Sequence, residues 1–254
     1  MHQLISYLKY RQIAQGKYNL HSPFVYGLYT KVMFDKIRLT KEVELYRKKM
    51  LKNSDSIVVN DLGAGSLVSK SNVRSISSIA KNALKSKKEV SLMLNLIKEF
   101  KPKTILELGT CFGITTAHLS KASNASIITI EGCSSIYKVA QETFKTLNCS
   151  NINIVNSSFD DVLPSILNKN KIDFAFIDGN HAKIPTLDYF NQIIEHSEEN
   201  AVLVFDDIYW SSEMTEAWEA IKKDKRVDVT IDLFQLGIVF KRPEQAKENF
   251  VLKF

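Results

Sequence analysis

The chain has 254 residues, 44% of them hydrophobic, with a formal net charge of +6, which suits one large α/β domain or a standard domain with an extension and excludes a wholly disordered chain. No apolar run approaches the ~20 residues of a spanning helix, and Met1–Arg11 lacks the continuous apolar stretch of a leader, so no membrane association is predicted. Three sparse cysteines, Cys111, Cys133 and Cys149, have no metal-ligand spacing and suit the reducing cytoplasm.

Charge divides the chain: residues 1–103 hold 20 Lys/Arg against 7 Asp/Glu, and residues 104–254 hold 14 against 21. A basic front portion can meet an anion or a nucleic acid. Its cations, among them Lys9, Arg11, Lys17, Arg47 and Lys85, are scattered over helix-like patterns without an aromatic-interleaved motif. Solvated helix faces are therefore expected, and nucleic acid is disfavoured.

Residues 1–103 read as a mainly helical extension. Leu4, Ile5, Leu8 and Ile13 give a rough apolar stripe closed near Gly16, and Ser22-Pro23 is an N-cap followed by proline at the first helical position, opening a helix to about Phe34. Helical patterns follow over about 40–52, 72–84 and 88–100, and Pro102 ends the last. Ser56–Asn60 is strand-like, and the D-x-G-x-G of Asp61–Ser66 reads as a glycine-permitted turn, with a lid or substrate-side contact as the lesser alternative, because Lys70–Phe100 reads as helical and no second parallel strand ending in an acid follows.

From Thr104 strands and helices alternate. Strands are predicted at 104–108, 126–130, 152–155, 172–177, 201–205, 227–234 and 236–241, and helices at about 113–122, 135–147, 161–167, 184–196 and 212–223. This pattern predicts a doubly wound, mostly parallel α/β sheet of seven strands. The last two are too close for a helical crossover and should form an antiparallel hairpin. Two domains are expected, 1–103 and 104–254.

The first of these strands ends in Glu107-Leu-Gly-Thr-Cys-Phe-Gly113. Gly109 and Gly113 allow a tight turn and close backbone approach to a ligand, and the following helix offers N–H groups at its start. A nucleoside-bearing cofactor is expected here. Cys111 stands where the dinucleotide fingerprint needs its second glycine, which argues against a pyrophosphate cofactor. Glu131 closes the next strand, where a carboxylate can accept both ribose hydroxyls. Asp178 and the pair Asp206-Asp207 end two later strands, and such strand ends are where open α/β sheets bind ligands.

This combination resembles the class I S-adenosylmethionine-dependent methyltransferases over about residues 104–241. Within that class, Asp178 and Asp206-Asp207 are similar to the metal-dependent O-methyltransferases of catechol and sugar type. The resemblance implies a Rossmann-like fold, with S-adenosylmethionine surrounded by Glu107, Gly109, Thr110, Gly113 and Thr115, its ribose on Glu131, and its adenine bordered by the segment of Ser158 and Phe159. Asp178 would serve both cofactor and metal. Mg²⁺, or Mn²⁺ or Ca²⁺, would sit on Asp178, Asp206 and Asp207, whose three crowded anions a divalent charge would offset. His181 stands where catechol-type relatives carry a lysine base, and histidine can do that work near neutral pH. Sugar-type relatives tend to carry an acid where this chain has Asn180.

The reading that follows is metal-assisted O-methylation of a small-molecule hydroxyl. A metal-independent methyltransferase acting on RNA or protein is the alternative, although no N-P-P-Y tetrad follows the fourth strand. A nicotinamide-dependent oxidoreductase and a non-catalytic nucleoside-binding protein are alternatives of another class. The C-terminal Phe250–Phe254 could pack on its own domain or on a second subunit, which leaves a homodimer open.

Overall fold

A computed structural model describes residues 2–35, 37–60 and 72–254. The chain opens with α1 (His2–Ile13), a 3-10 turn (Lys17–Asn19) and α2 (Pro23–Gly27), which continues as a π-helix over Leu28–Met33. Then come α3 (Lys41–Met50), β1 (Ser56–Val58), β2 (Val73–Ser75), α4 (Ile76–Ala83) and α5 (Lys87–Phe100). Polar caps set several of these boundaries: Ser22 Oγ accepts from the Val25 N–H, and Ser86 and Glu89 form a reciprocal capping box on α5. The helix expected over 72–84 starts later, because Val73–Ser75 pairs antiparallel with Ser56–Val58 and Ser75 then caps α4. Asp61–Ser66 lies outside the described residues.

The alternating half supplies β3 (Thr104–Leu108), α6 (Ile114–Ala122), β4 (Ser126–Glu131), α7 (Ser134–Thr146), β5 (Ile152–Asn156) and α8 (Phe159–Leu167). It continues with β6 (Ile172–Ile177), α9 (Lys183–Glu195), β7 (Ser197–Asp206), α10 (Ser212–Lys223), β8 (Val229–Asp232), β9 (Leu236–Phe240) and β10 (Glu248–Val251). The main sheet has the order β10-β8-β9-β7-β6-β3-β4-β5, with β9 antiparallel to both β7 and β8 as the hairpin argument requires. It holds eight strands, one more than the seven expected. The addition is β10, which pairs parallel to β8 at the edge, and its short polar sequence Glu-Asn-Phe-Val carries little strand signal. The C-terminal segment thus packs on its own sheet.

Contacts group the chain into two units. The first comprises Met1–Tyr29, Thr104–Leu106 and Leu163–Phe254. Its core is aromatic: Phe174, Phe176, Tyr189, Phe190, Phe205, Trp218 and Phe240 are fully buried. Trp218 packs so tightly on β9 that a Cβ at Gly237 would come within 2.7 Å of the indole. In this unit α1 buries Ser6 and Tyr10, and the Tyr10 hydroxyl donates to the Leu252 carbonyl at 2.5 Å. The Leu4–Ile5–Leu8 stripe is exposed.

The second unit comprises Thr30–Lys103 and Glu107–Val162. Here α5 buries Leu92, Met93 and Leu96, while α6 is buried from Ile114 to Ser120. A helix covered on all sides needs no amphipathic stripe, and the α6 sequence has none.

Candidate functional site

The glycine loop of the second unit runs from the end of β3 into α6. Gly109 has φ 98° and Gly113 φ 72°, and Cys111 between them also has a positive φ of 49°. This left-handed backbone is what glycine allows at low cost and cysteine does not. The loop is tied down at its base, where the Gly109 and Thr110 N–H groups donate to the Ile130 carbonyl at 3.0 and 3.2 Å. Gly113 caps α6 with its ring-side space already filled: a Cβ there would meet the Phe144 ring at 2.4 Å.

Glu107 is buried on β3 and held by hydroxyls. Thr116 Oγ1 donates to its Oε2 at 2.5 Å and Thr129 Oγ1 donates to the same oxygen at 2.6 Å. Thr110 Oγ1 lies 2.6 Å from Thr129 Oγ1, and because the Thr129 proton is directed to Glu107, Thr110 is the donor in that pair. A threonine relay therefore links Glu107 to the loop. Glu131, at the end of β4, accepts the Cys111 N–H on Oε2 at 3.0 Å and the Cys133 N–H on Oε1 at 2.9 Å. Its carboxylate fixes the loop, and each oxygen has lone-pair capacity for a further donor.

Thr115 is buried in the first turn of α6. Ser158 precedes α8 and behaves as its cap: Oγ accepts the Asp161 N–H at 3.2 Å and donates to the Asp161 carboxylate at 2.6 Å. That commits the hydroxyl proton and one lone pair, which leaves one acceptor position on Ser158 beside half-buried Phe159.

In the first unit, Asp178 follows β6 and Asp206 ends β7. The loop after Asp178 turns through Asn180, whose φ is 59° and whose amide donates to the Tyr189 hydroxyl at 3.1 Å. This brings His181 Nε2 to 3.6 Å from Asp178 Oδ1. One ligand atom each from Asp178, His181 and Asp206 lies within 4.8 Å of the others, and Asp206 is buried. Asp207 is outside this group; its φ is 53°, and its carbonyl accepts the Trp210 N–H at 2.8 Å, opening the turn that leads away from β7. The Trp210 ring lies 6.3 Å from the His181 ring.

A family model described as a methyltransferase domain matches residues 106–208, from β3 through β7. Over these residues the chain is similar to methyltransferase domains. No curated protein sequence matches the chain. Among solved structures, the methyltransferase PaMTH1 of Podospora anserina, bound to S-adenosylhomocysteine, is 16% identical with TM-score 0.57, covering 81% of this chain and 97% of that one. An O-methyltransferase of Bacillus cereus, in complex with S-adenosylhomocysteine, is 20% identical with TM-score 0.54, over 63% and 84% of the two chains. TomG of Streptomyces achromogenes, an O-methyltransferase of tomaymycin synthesis solved with S-adenosylmethionine, is 18% identical with TM-score 0.56, over 63% and 82%. At these identities the likeness is one of fold.

Two supports of the candidate site were not singled out from the sequence. Thr129 interrupts an apolar strand, Ile127-Ile-Thr-Ile130, and a hydroxyl in that position signals a buried polar partner, which is Glu107. Asp232 at the end of β8 is buried and accepts from Tyr209 Oη at 2.6 Å, Trp218 Nε1 at 3.3 Å and the Phe234 N–H at 2.9 Å. Burial pushes the Asp232 carboxyl above the usual carboxylate range despite these donors, and burial beside Asp232 raises the Tyr209 phenol. The network anchors the segment just after Asp206 and Asp207. A groove of about 450 Å³ within the second unit is lined by Tyr46, Lys49, Met50, Ile76, Lys138 and neighbours, and by none of the residues picked out from the sequence.

Proposed function

We propose that this methyltransferase transfers the methyl group of S-adenosylmethionine to a hydroxyl of a small-molecule acceptor, with a divalent cation assisting. The observation that carries this reading is the convergence of Asp178, His181 and Asp206 at the ends of neighbouring strands β6 and β7. The two carboxylates, Asp178 and Asp206, are oxygen donors that suit Mg²⁺ or Mn²⁺ and would hold such a cation, with Asp207 adding local negative charge and the His181 imidazole beside it. When bound, such a cation lowers the pKa of an acceptor hydroxyl and orients its oxygen.

His181 accepts the hydroxyl proton in this mechanism. The oxygen pair forms the new O–CH₃ bond as the C–S bond breaks, and the sulfonium becomes the neutral thioether of S-adenosylhomocysteine. In-line placement of the oxygen and the methyl carbon supplies much of the rate. Glu107, Gly109, Thr110, Gly113 and Thr115 hold the amino-acid end of the methyl donor, Glu131 its ribose, and Ser158 and Phe159 border its adenine. Residues 1–103 shape the acceptor side. The bound ligands of the O-methyltransferases of like fold support the donor assignment.

A second reading has its own observation: His181 is itself within ligand distance of the acids. An imidazole nitrogen bonded to a cation has no lone pair left for a proton, so ligand and base are exclusive roles for that atom. Calorimetric titration with S-adenosylmethionine, S-adenosylhomocysteine and NAD, with and without Mg²⁺ or Mn²⁺, tests the proposal. Donor binding without NAD binding is expected, and the reverse would refute the methyltransferase reading. Asp178→Asn and Asp206→Asn should abolish cation binding. If His181→Ala abolishes it too, His181 is a ligand; if it spares cation binding and lowers only the rate, His181 is the base.

A further inference from the structure

We propose that α1 is a membrane-surface helix that seats the protein on anionic lipid. The two faces of α1 are unlike. One is docked within the first unit: Ser6 and Tyr10 are buried, Tyr10 donates to the Leu252 carbonyl, and His2 Nε2 lies 2.9 Å from Thr215 Oγ1. The chain beyond it is pinned as well, since Gln15 N–H donates to the Val251 carbonyl and its own carbonyl accepts from Lys253 N–H. The helix is therefore held rigidly by its inner face.

The outer face carries three exposed aliphatic side chains, with exposed Gln12 beside them. Leu4, Ile5 and Leu8 are 64%, 47% and 56% exposed. At about 100° per residue these three fall within one arc of roughly 100°, opposite Ser6 and Tyr10. The strip is edged by cations, Arg11 on one side and Lys9 on the other. Past the helix, Lys17 lies over the ring of Tyr18, which is 87% exposed, with 4.8 Å between ammonium and ring centroid. From residue 1 to residue 34 the sequence has four Lys/Arg and no Asp or Glu.

Exposed aliphatic side chains flanked by cations, with a tyrosine nearby, are what an anionic headgroup surface can take up. At about 18 Å the helix is too short to cross the ~30 Å hydrocarbon core, so it lies in the plane of the surface. Charge selects the occupant. Two copies meeting face to face would bring Lys9 and Arg11 against their counterparts, whereas anionic headgroups would neutralise both.

Co-sedimentation of the full chain with vesicles tests this. Vesicles of phosphatidylcholine with 30% phosphatidylglycerol should carry the protein down, vesicles of phosphatidylcholine alone should not, and added salt should release it. The combined variant Leu4→Ser, Ile5→Ser, Leu8→Ser should lower partitioning at least tenfold while melting temperature and S-adenosylmethionine affinity stay unchanged. Lys9→Gln with Lys17→Gln should lower it about 25-fold, at about fivefold per cation. No binding to anionic vesicles, or binding indifferent to the serine variant, overturns the proposal. So does a dimer in sedimentation velocity that the serine variant dissolves, because a second copy would then be the occupant.

Discussion

Gly113→Ala is the sharpest perturbation the glycine loop offers, because two separate physical costs fall on one methyl group. The backbone at Gly113 has φ 72°, and a left-handed residue with a Cβ costs about 1–2 kcal/mol. The methyl would also lie 2.4 Å from Phe144 Cε1 and 2.5 Å from Cζ, and Phe144 is buried, so the ring must move into packed surroundings. Overpacking of that kind adds about 1–3 kcal/mol. The variant should therefore lose about 2–5 kcal/mol in urea denaturation, with S-adenosylmethionine affinity lowered as well, because the loop has to shift. Phe144→Leu separates the two costs. It removes the two nearest ring atoms and leaves a contact near 3.4 Å, so in that background Gly113→Ala should cost only the dihedral share of about 1–2 kcal/mol. A loss below about 1 kcal/mol in the wild-type background, or an equal loss in both, would refute the reasoning.

Glu131→Gln keeps the shape but presents an amide NH₂ to one of the two N–H groups from Cys111 and Cys133; S-adenosylmethionine affinity should fall by at least tenfold in calorimetry, and unchanged affinity would remove the residue from the site. Ser158→Ala should cost about 1 kcal/mol of stability as a lost helix cap, with donor affinity little changed; a large affinity loss would mean that the hydroxyl, not the helix, is the point. The buried His118–Glu44 pair predicts acid lability. Burial lowers the His118 pKa against the support of Glu44, and its Nδ1 has no hydrogen-bond partner among the described residues, so protonation would bury an unsatisfied N–H. Burial raises the Glu44 pKa, but Lys87, His118 and Arg47 together hold it below the usual carboxylate range. Both groups then bind protons more readily when unfolded, so stability is full above the ordinary histidine range and falls as pH drops through it and on through the carboxylate range. His118→Leu should flatten the decline between pH 7.5 and 5.5 in thermal melts, and an unaltered slope would show that the pair is not its source.

The methyltransferase half was legible because its signals are local and redundant. Gly109 and Gly113 announce a backbone that only glycine adopts cheaply, and both have positive φ. The short link between β8 and β9 permits only a hairpin, and β9 is antiparallel to β8. What sequence reading underdetermines is everything decided by a distant partner. Cys111 adopts a positive φ against its own preference because its N–H is held by Glu131, twenty residues on. Ser158 reads from the sequence as a ligand contact, while its capping bonds to Asp161 appear only in the folded chain. Of the two adjacent acids, Asp206 and Asp207 are indistinguishable as residue types, yet it is Asp206 that groups with Asp178 and His181, while Asp207 has a left-handed backbone. The same limit explains α1. Periodicity finds Leu4, Ile5 and Leu8 on one arc, but which side of a helix is covered depends on what packs against it, and there Ser6 and Tyr10 win the interior because the Tyr10 hydroxyl finds the Leu252 carbonyl. A stripe that sequence alone would assign to a core is left facing outward, and a helix held rigidly by one face with its aliphatic side chains exposed on the other has a partner to account for.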